Sequence, residues 1–363
     1  MKITAAVVEE KGAPFTLREL ELGELADDEI LVEVAASGIC HTDLICRDQW
    51  IPTPLPAVLG HEGAGVVRAV GSAVTNVAAG DHVAMSYDSC GSCPCCSKGL
   101  GVYCHRFFEH NFAASRPADG TSCCGDVHAH FFGQSSFATH SVARERNVVK
   151  LGADVPLDVV APFGCGIQTG AGSVLNVFRP QAGSSIAVFG AGAVGLAAVL
   201  AARVAGCGEI VVVDLRPNRL ELALELGATA VVDASAHDPV RAVRKLTSGG
   251  PAFSLEATGS PDALRAAVHC LGNTGVCGVV GAPAVGTEVS LDVNTILVGG
   301  RVVRGIIEGE SIPAHFLPRL FSFWQDGRFP VERMMTFYDF DQIDQAAHDA
   351  QSGAVIKPVL RMS

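Results

Sequence analysis

The stretch S-I-A-V-F-G-A-G-A-V-G, residues 185–195, decides the fold. Ile186–Phe189 reads as a short buried strand and Val194–Ala205 as a small-residue helix, with glycines where one passes into the other. In that setting the glycine spacing is a dinucleotide fingerprint. Gly190 permits the tight turn, Gly192 admits a pyrophosphate, and Gly195 lets the helix pack on the strand. Asp214 ends the next strand-like run, Ile210–Val213, nineteen residues past Gly195. A carboxylate there bonds the ribose hydroxyls of NAD and repels the 2′-phosphate of NADP. Arg216 and Arg219 lie close by and could accept that phosphate; the acid at the strand end favours NAD. The plain alternative is a βαβ crossover that binds nothing, and all three glycines together with the acid argue against it.

Outward from this stretch the pattern repeats. A helix over Asn218–Leu226 stops at Gly227, and strand-like runs follow at Ala230–Val232, Phe253–Glu256, Val276–Val280 and Val302–Ile307. Such alternation indicates a doubly wound parallel sheet. The first third reads instead as β: Ala5–Val8, Glu29–Val34 and Gly65–Val70 are short, β-branched and bounded by turn residues. The segment from Arg106 to Phe132 has little periodicity and is expected to be a long surface loop. The tail from Glu308 is mixed and closes on a strand-like run, Val355–Leu360, expected to return to the first domain.

A chain of 363 residues suits two domains, and 48% hydrophobic residues with 40 glycines suit a compact α/β protein. A net charge of −12 disfavours nucleic acid or an anionic membrane as partner. The opening M-K-I-T-A-A-V-V-E-E has no basic region followed by an apolar one, so no export signal is expected. Thirteen cysteines then point to a reducing cytoplasm, where thiols bind metal rather than pair.

Two groups of metal-ligand types stand out. Cys90, Cys93, Cys96 and Cys104 have the spacing C-x2-C-x2-C-x7-C. Four thiolates so close can close a tetrahedron around zinc, which is the structural kind of site. Cys95 lies among them, so composition alone does not force the choice; a cluster of buried free thiols is the other reading. Cys40, His61 and Cys165 are scattered, and each alone is more often an ordinary core residue. Their context gives them weight: G-I-C-H-T-D comes after a strand, G-H-E-G precedes one, and G-C-G stands at a domain junction. Two Cys and one His leave a fourth position open, which is the catalytic kind of zinc site. Asp43 is a candidate partner holding the His61 imidazole, or else a turn aspartate. Trp50, Ile51 and Tyr87 are candidates for an apolar substrate wall, against simple core or rim packing.

Taken together, these residues resemble the zinc-dependent medium-chain alcohol dehydrogenases over essentially the whole chain. The carriers are G-I-C-H-T-D (38–43), G-H-E-G-A-G (60–65), the four-cysteine lobe, G-C-G-I-Q-T-G (164–170), the glycine fingerprint and G-A-V-I-K-P (353–358). Within that family the chain looks most like the aryl-alcohol (benzyl alcohol) and terpene-alcohol enzymes, through R-D-Q-W-I-P-T-P-L-P (47–56) and F-F-G-Q-S-S-F (131–137). The resemblance implies a Rossmann domain over 167–307 and a mostly β, GroES-like catalytic domain with a zinc lobe over 1–166 and 308–363. It implies two zinc ions per chain, Cys40, His61 and Cys165 holding the catalytic one with Glu62 as an alternative ligand. Thr42 would carry the alcohol proton, Thr169 would touch the nicotinamide, Arg219 would meet the adenosine ribose, and His41 and Lys357 would face the pyrophosphate. The implied activity is reversible, NAD-dependent oxidation of primary aryl or allylic alcohols to aldehydes. Aliphatic alcohols or a formaldehyde adduct are the second enzyme reading, and a non-catalytic zinc- or cofactor-binding protein is the third. Pairing through the cofactor domain is implied as well, as a homodimer or, less favoured, a tetramer. Two departures matter. Ile45 stands where many relatives carry a proton-exporting His, and His41 stands where Arg is common. His41 is expected to take over the proton exit.

Overall fold

The computed structural model describes residues Met1–Met362. It divides into two compact units. One comprises Met1–Cys165, Ile312–Phe321 and Val331–Ser363. The other comprises Gly166–Ser311 and Ser322–Pro330. The resemblance puts the whole of 308–363 in the first; the structure groups Glu308–Ser311 and Ser322–Pro330 with the second. Among the described residues no helix is long and apolar enough to cross a membrane.

The second unit is a six-stranded parallel sheet. Its spatial order is Ala230–Asp233, Glu209–Asp214, Ser185–Phe189, Phe253–Glu256, Val276–Val279, Val302–Gly305. The direction of winding reverses between Ser185–Phe189 and Phe253–Glu256, so a crevice opens beyond the carboxyl ends of these two strands. The fingerprint glycines sit there. The central strands are buried on both faces, which is why they read as continuous Val/Ile runs. The helix after the first strand spans Ala193–Val204; its alanines let it lie close to the sheet, and eight of its twelve residues are buried.

The first unit is largely antiparallel. One sheet runs, in order, Met335–Asp339, Lys357–Arg361, Glu29–Gly38, Gly63–Val70, His82–Met85 and Val148–Lys150, and His140–Arg144 also pairs with Glu29–Gly38. A smaller sheet joins Thr16–Glu21, Lys2–Val8 and Ala57–Val58. Strand register sets which residues meet at the edge of the larger sheet. Ser37 lies opposite Gly63, and Val359 opposite Gly38. The chain therefore leaves one strand at Cys40 and enters its neighbour from His61 side by side, and the C-terminal strand delivers Lys357 to the same edge.

The segment 106–132 is not a surface loop. It holds a short helix, Phe107–Asn111, and buries Asn111, Ala114, Cys123, Cys124, Val127, Ala129, His130 and Phe131. Arg116 grips the buried Glu29 carboxylate through Nε and Nη2 at 2.7 and 2.8 Å. Single Cys, Phe and Ala side chains reach the core from irregular backbone, so the segment has neither a helical nor a strand period. That is why patterning missed its burial. The Cys123 and Cys124 sulfurs lie 3.9 Å apart, and none of the thirteen cysteines forms a disulfide.

Candidate active site and cofactor-binding residues

Cys40, His61 and Cys165 converge, their ligand atoms all within 4.8 Å of one another. Cys40 caps the helix His41–Arg47, His61 precedes the strand Gly63–Val70, and Cys165 comes after the turn Ala161–Gly164. That turn is pinned by Ser86 Oγ, which donates to the Gly164 carbonyl at 2.7 Å.

Asp43 organises the group. Its Oδ1 accepts from His61 Nδ1 at 2.7 Å and from the Gly60 N–H at 3.0 Å, while Oδ2 accepts from the Cys40 N–H at 2.9 Å. With Nδ1 carrying the proton to a carboxylate, Nε2 presents its lone pair. His61 is fully buried, and its Nε2 has no hydrogen-bond partner. A buried imidazole nitrogen left unpaired beside two thiols is what a soft, nitrogen- and sulfur-preferring cation such as zinc would satisfy. The Cys40 thiol is held well below its ordinary pKa: hydrogen bonding with Cys165 lowers it most, burial opposes, and His61 adds to the lowering. The donor set fits zinc with one position left for substrate. Thr42 Oγ1 lies 3.8 Å from Cys40 Sγ, so its hydroxyl stands next to the candidate ligand group.

The imidazole is also walled by rings. Phe132 stacks on it at 4.5 Å and 29°, and Phe131 meets it edge-on at 5.6 Å. No spacing in the sequence ties these phenylalanines to the site; the run F-F-G-Q-S-S-F carries only a family likeness there.

Glu62 is fully buried, and burial raises its pKa first of all. Lys357, assigned on sequence to the pyrophosphate, is buried too. Its ammonium contacts Glu62 Oε2 at 2.8 Å, Glu62 Oε1 at 3.0 Å and the Ile39 carbonyl at 3.1 Å. The three donors are engaged, and a carboxylate removed from water needs this cation, so within its own unit Lys357 serves to neutralise Glu62. His41 is exposed, with its ring 6.5 Å from Trp50. Ile51 is partly buried. Tyr87 packs in the core at 6.0 Å from Phe107, so Trp50 alone of the three wall candidates presents a largely exposed face. Ile45 is buried.

The second cluster is Cys90, Cys93, Cys96 and Cys104, without Cys95. Sulfur–sulfur distances are 3.5 Å for Cys93–Cys96, 3.9 Å for Cys90–Cys96 and 4.0 Å for Cys93–Cys104. Zinc–sulfur bonds of about 2.3 Å in a tetrahedron require edges of about 3.8 Å. The lobe's own backbone supports the sulfurs: the Cys93 N–H points at Cys90 Sγ (3.4 Å) and the Arg106 N–H at Cys104 Sγ (3.3 Å). The Cys90 thiol is lowered to about 5, first by backbone hydrogen bonding at Ser92, whereas burial pushes Cys104 up to about 12. A bound cation would displace all four protons.

In the second unit Gly190 has φ +100°, a left-handed conformation. A Cβ on Gly195 would sit 1.8 Å from the Gly190 carbonyl, whereas one on Gly192 would meet nothing within 4 Å. The turn is thus tight beneath and open above, a cradle for a pyrophosphate at the start of the helix Ala193–Val204. Asp214 braces it, Oδ2 accepting from the Ala191 N–H at 2.7 Å and Oδ1 from the Leu215 and Arg216 N–H groups at 2.8 and 3.0 Å. Arg219 is half-buried, and its Nε lacks a partner. These residues fit a dinucleotide. Thr169 is 9% exposed, its hydroxyl 3.4 Å from Glu308 Oε2, which also accepts from Gln168 Nε2 at 2.9 Å. Glu308 carries no sequence signal.

Residues 26–153 match the family described as "Alcohol dehydrogenase GroES-like domain", and residues 193–323 match "Zinc-binding dehydrogenase". This chain belongs to the zinc-dependent medium-chain alcohol dehydrogenase family. It is 43% identical to geraniol dehydrogenase of Castellaniella defragrans, covering 98% of this chain and 96% of that one. The crystal structure of benzyl alcohol dehydrogenase from Acinetobacter calcoaceticus superposes with a TM-score of 0.97 at 47% identity, over 100% of both chains. An alcohol dehydrogenase zinc-binding domain protein from Burkholderia ambifaria matches with TM-score 0.97 and 50% identity, over 100% and 99% of the two chains. The protein is therefore an alcohol dehydrogenase, an oxidoreductase of a zinc- and nicotinamide-dependent family.

Proposed function

We propose that this alcohol dehydrogenase oxidises primary aryl or allylic alcohols reversibly to aldehydes, with NAD and two zinc ions per chain, one catalytic and one structural. The carrying observation is the unpaired, buried His61 Nε2 beside two thiols, a three-ligand site with an open fourth position. The substrate class is supported by the names of the two relatives, one acting on geraniol and one on benzyl alcohol. NAD is supported by Asp214 at the strand end.

Zinc, when bound, supplies Lewis acidity that brings a coordinated hydroxyl's pKa to about 7. NAD, when bound, supplies the hydride acceptor. The chain does the rest. Cys40 and Cys165 would hold the metal as thiolates, and Asp43 fixes His61 in the tautomer that leaves Nε2 for it. Thr42 would accept the alcohol proton at its hydroxyl oxygen while giving up its own, and the exposed His41 would hand a proton on to solvent, a role the buried, apolar Ile45 cannot fill. Gly190, Gly192 and Gly195 would seat the pyrophosphate, Asp214 and Arg219 would meet the adenosine ribose, and Thr169 would contact the nicotinamide. A reducing compartment, the cytoplasm, suits thirteen cysteines without a disulfide.

The test is nicotinamide reduction with benzyl alcohol, geraniol and ethanol, each with NAD and with NADP. Benzyl alcohol or geraniol with NAD is expected to exceed both ethanol and NADP by at least about tenfold in kcat/KM. Turnover of ethanol alone removes the aryl and allylic reading. Silence with every alcohol, in protein carrying two zinc ions, removes catalysis altogether.

The assembly proposed is a homodimer through the second unit. Val302–Gly305 is an edge strand with Val302 and Val303 exposed, and Val293, Leu297 and Val298 are 73%, 73% and 82% exposed on the adjoining helix. An apolar strand edge is a site for pairing with a second copy. Sedimentation is expected to give twice the 37.6 kDa chain mass, and Val303→Lys to give monomer; a wild-type monomer would refute the pairing.

A further inference from the structure

Besides the two rings that wall His61, the run F-F-G-Q-S-S-F brings a carboxamide, that of Gln134, against the backbone of the site. Gln134 is fully buried. Its Nε2 donates to the His61 carbonyl at 3.0 Å and to the Ser86 carbonyl at 3.1 Å, and its Oε1 accepts from the Gly63 N–H at 3.0 Å. One carboxamide thus grips the backbone on both sides of Glu62. It also ties that backbone to Ser86, whose hydroxyl holds the carbonyl next to Cys165. The amide cannot be turned over, because that would set N–H against N–H and carbonyl against carbonyl.

The neighbours of Gln134 are held as firmly. Phe132, the ring stacked on His61, has φ +51°. A bulky residue keeps such a conformation only where its surroundings impose it. Here Asn147 Nδ2 donates to the Phe132 and Gly133 carbonyls at 3.2 and 2.9 Å. Ser135 Oγ accepts from the Phe131 N–H at 2.8 Å and donates to the Val58 carbonyl at 2.7 Å. Ser136 Oγ meets Ser37 Oγ at 2.7 Å, on the strand that leads to Cys40. His61 is therefore restrained at three points: Nδ1 by Asp43, the ring face by Phe132, and the carbonyl by Gln134. Only Nε2 is left for the metal.

We infer that Gln134, with Phe132, is a positioning residue that fixes the pose of His61 and thereby sets how tightly the catalytic site holds its metal, independently of the four-cysteine lobe. Partners of metal ligands typically change metal affinity 10- to 100-fold when removed. The lobe has no share in this brace, since its sulfurs rest on hydrogen bonds within 90–106. The inference rests on the proposed reading of Cys40, His61 and Cys165 as zinc ligands.

The experiment is zinc release from the intact enzyme to a colorimetric chelator, read as two phases. Wild type is expected to release one zinc per phase. Gln134→Met, near in volume but without the hydrogen bonds, should accelerate the catalytic phase by at least about tenfold and leave the lobe phase within about twofold. Cobalt(II) placed in the catalytic site should show a shifted visible band in the variant. Gln134→Glu keeps the acceptor for the Gly63 N–H but loses both donors, and should resemble Gln134→Met. If Gln134→Met does not fold, Phe132→Leu is read the same way, with faster catalytic release expected. Both phases accelerating together with a lower melting temperature would mean general loosening and would overturn the inference, as would unchanged release and an unchanged cobalt spectrum. A wild type holding a single zinc would overturn the underlying assignment instead, so the two failures are distinguishable.

Discussion

Asp43→Asn is expected to lower kcat/KM by about 10- to 100-fold and to deplete the catalytic zinc while the four-cysteine lobe stays loaded. The substitution changes almost no volume, so the effect comes from hydrogen-bond accounting. Asp43 accepts three N–H groups: Oδ1 takes those of His61 Nδ1 and Gly60, and Oδ2 that of Cys40. An asparagine has one acceptor oxygen. If it faces His61, its NH2 faces the Cys40 N–H; two donors then confront each other in a buried site, and the Cys40 ligand shifts. If it faces Cys40, the imidazole loses its acceptor, and the tautomer with hydrogen on Nε2 becomes available, which cannot bind metal. Either arrangement orphans a buried group, at about 1–3 kcal/mol. Zinc content by emission spectrometry, kcat/KM with benzyl alcohol and a thermal melt together decide the matter. Full zinc content with kcat/KM within about threefold of wild type would show that Asp43 is only a helix-cap aspartate.

The features legible without the structure are those that physics writes into local spacing. The thiolates of the lobe must meet within a few ångströms, so their separation along the chain is short; the paired x2 spacings select Cys90, Cys93, Cys96 and Cys104 over Cys95, and the same four sulfurs converge in the fold. The Gly190–Gly195 turn and Asp214 are legible because a tight turn, an open cradle and a strand-end acid are each satisfied by a fixed residue type. Cys40, His61 and Asp43 are legible by context, since ligands at strand ends meet when the strands pair, as the Ser37–Gly63 register makes them do. The segment 106–132 is not, because its burial comes from single side chains on irregular backbone. Gln134 and Glu308 are not, because their partners are backbone carbonyls and side chains more than forty positions away. The pairing of Lys357 with Glu62 is not legible either, for a general reason. A lysine in a sequence looks like a solvated cation, and only the fold shows that a carboxylate has been buried next to it.

Lys357→Met is expected to cost about 3–5 kcal/mol, the cost of leaving one member of a buried ion pair without the other. The lysine stem is replaced by a chain of similar length, so packing is largely kept and the loss lies in the charge. Glu62 is fully buried and close to the catalytic ligands; burial already pushes its pKa up, and Lys357 is the first influence opposing that. Without the ammonium the carboxyl will titrate still higher. A carboxyl whose folded pKa exceeds its unfolded value stabilises the fold below that unfolded value and loses the contribution as pH rises through the folded one. Relative to wild type, the variant should therefore be least impaired near pH 5 and progressively worse towards neutrality, because the wild-type ammonium, raised above the ordinary lysine value of 10.5, stays charged beside Glu62 across that range. Glu62→Gln combined with Lys357→Met removes both charges and should recover most of the loss, which denaturant unfolding of the four proteins would measure as a coupling energy. The same double variant separates the two roles the lysine has been given. Its NAD dissociation constant should stay within about threefold of wild type, because the ammonium is occupied by Glu62 and the Ile39 carbonyl; a weakening of about tenfold, or about 1.4 kcal/mol, would return Lys357 to the pyrophosphate.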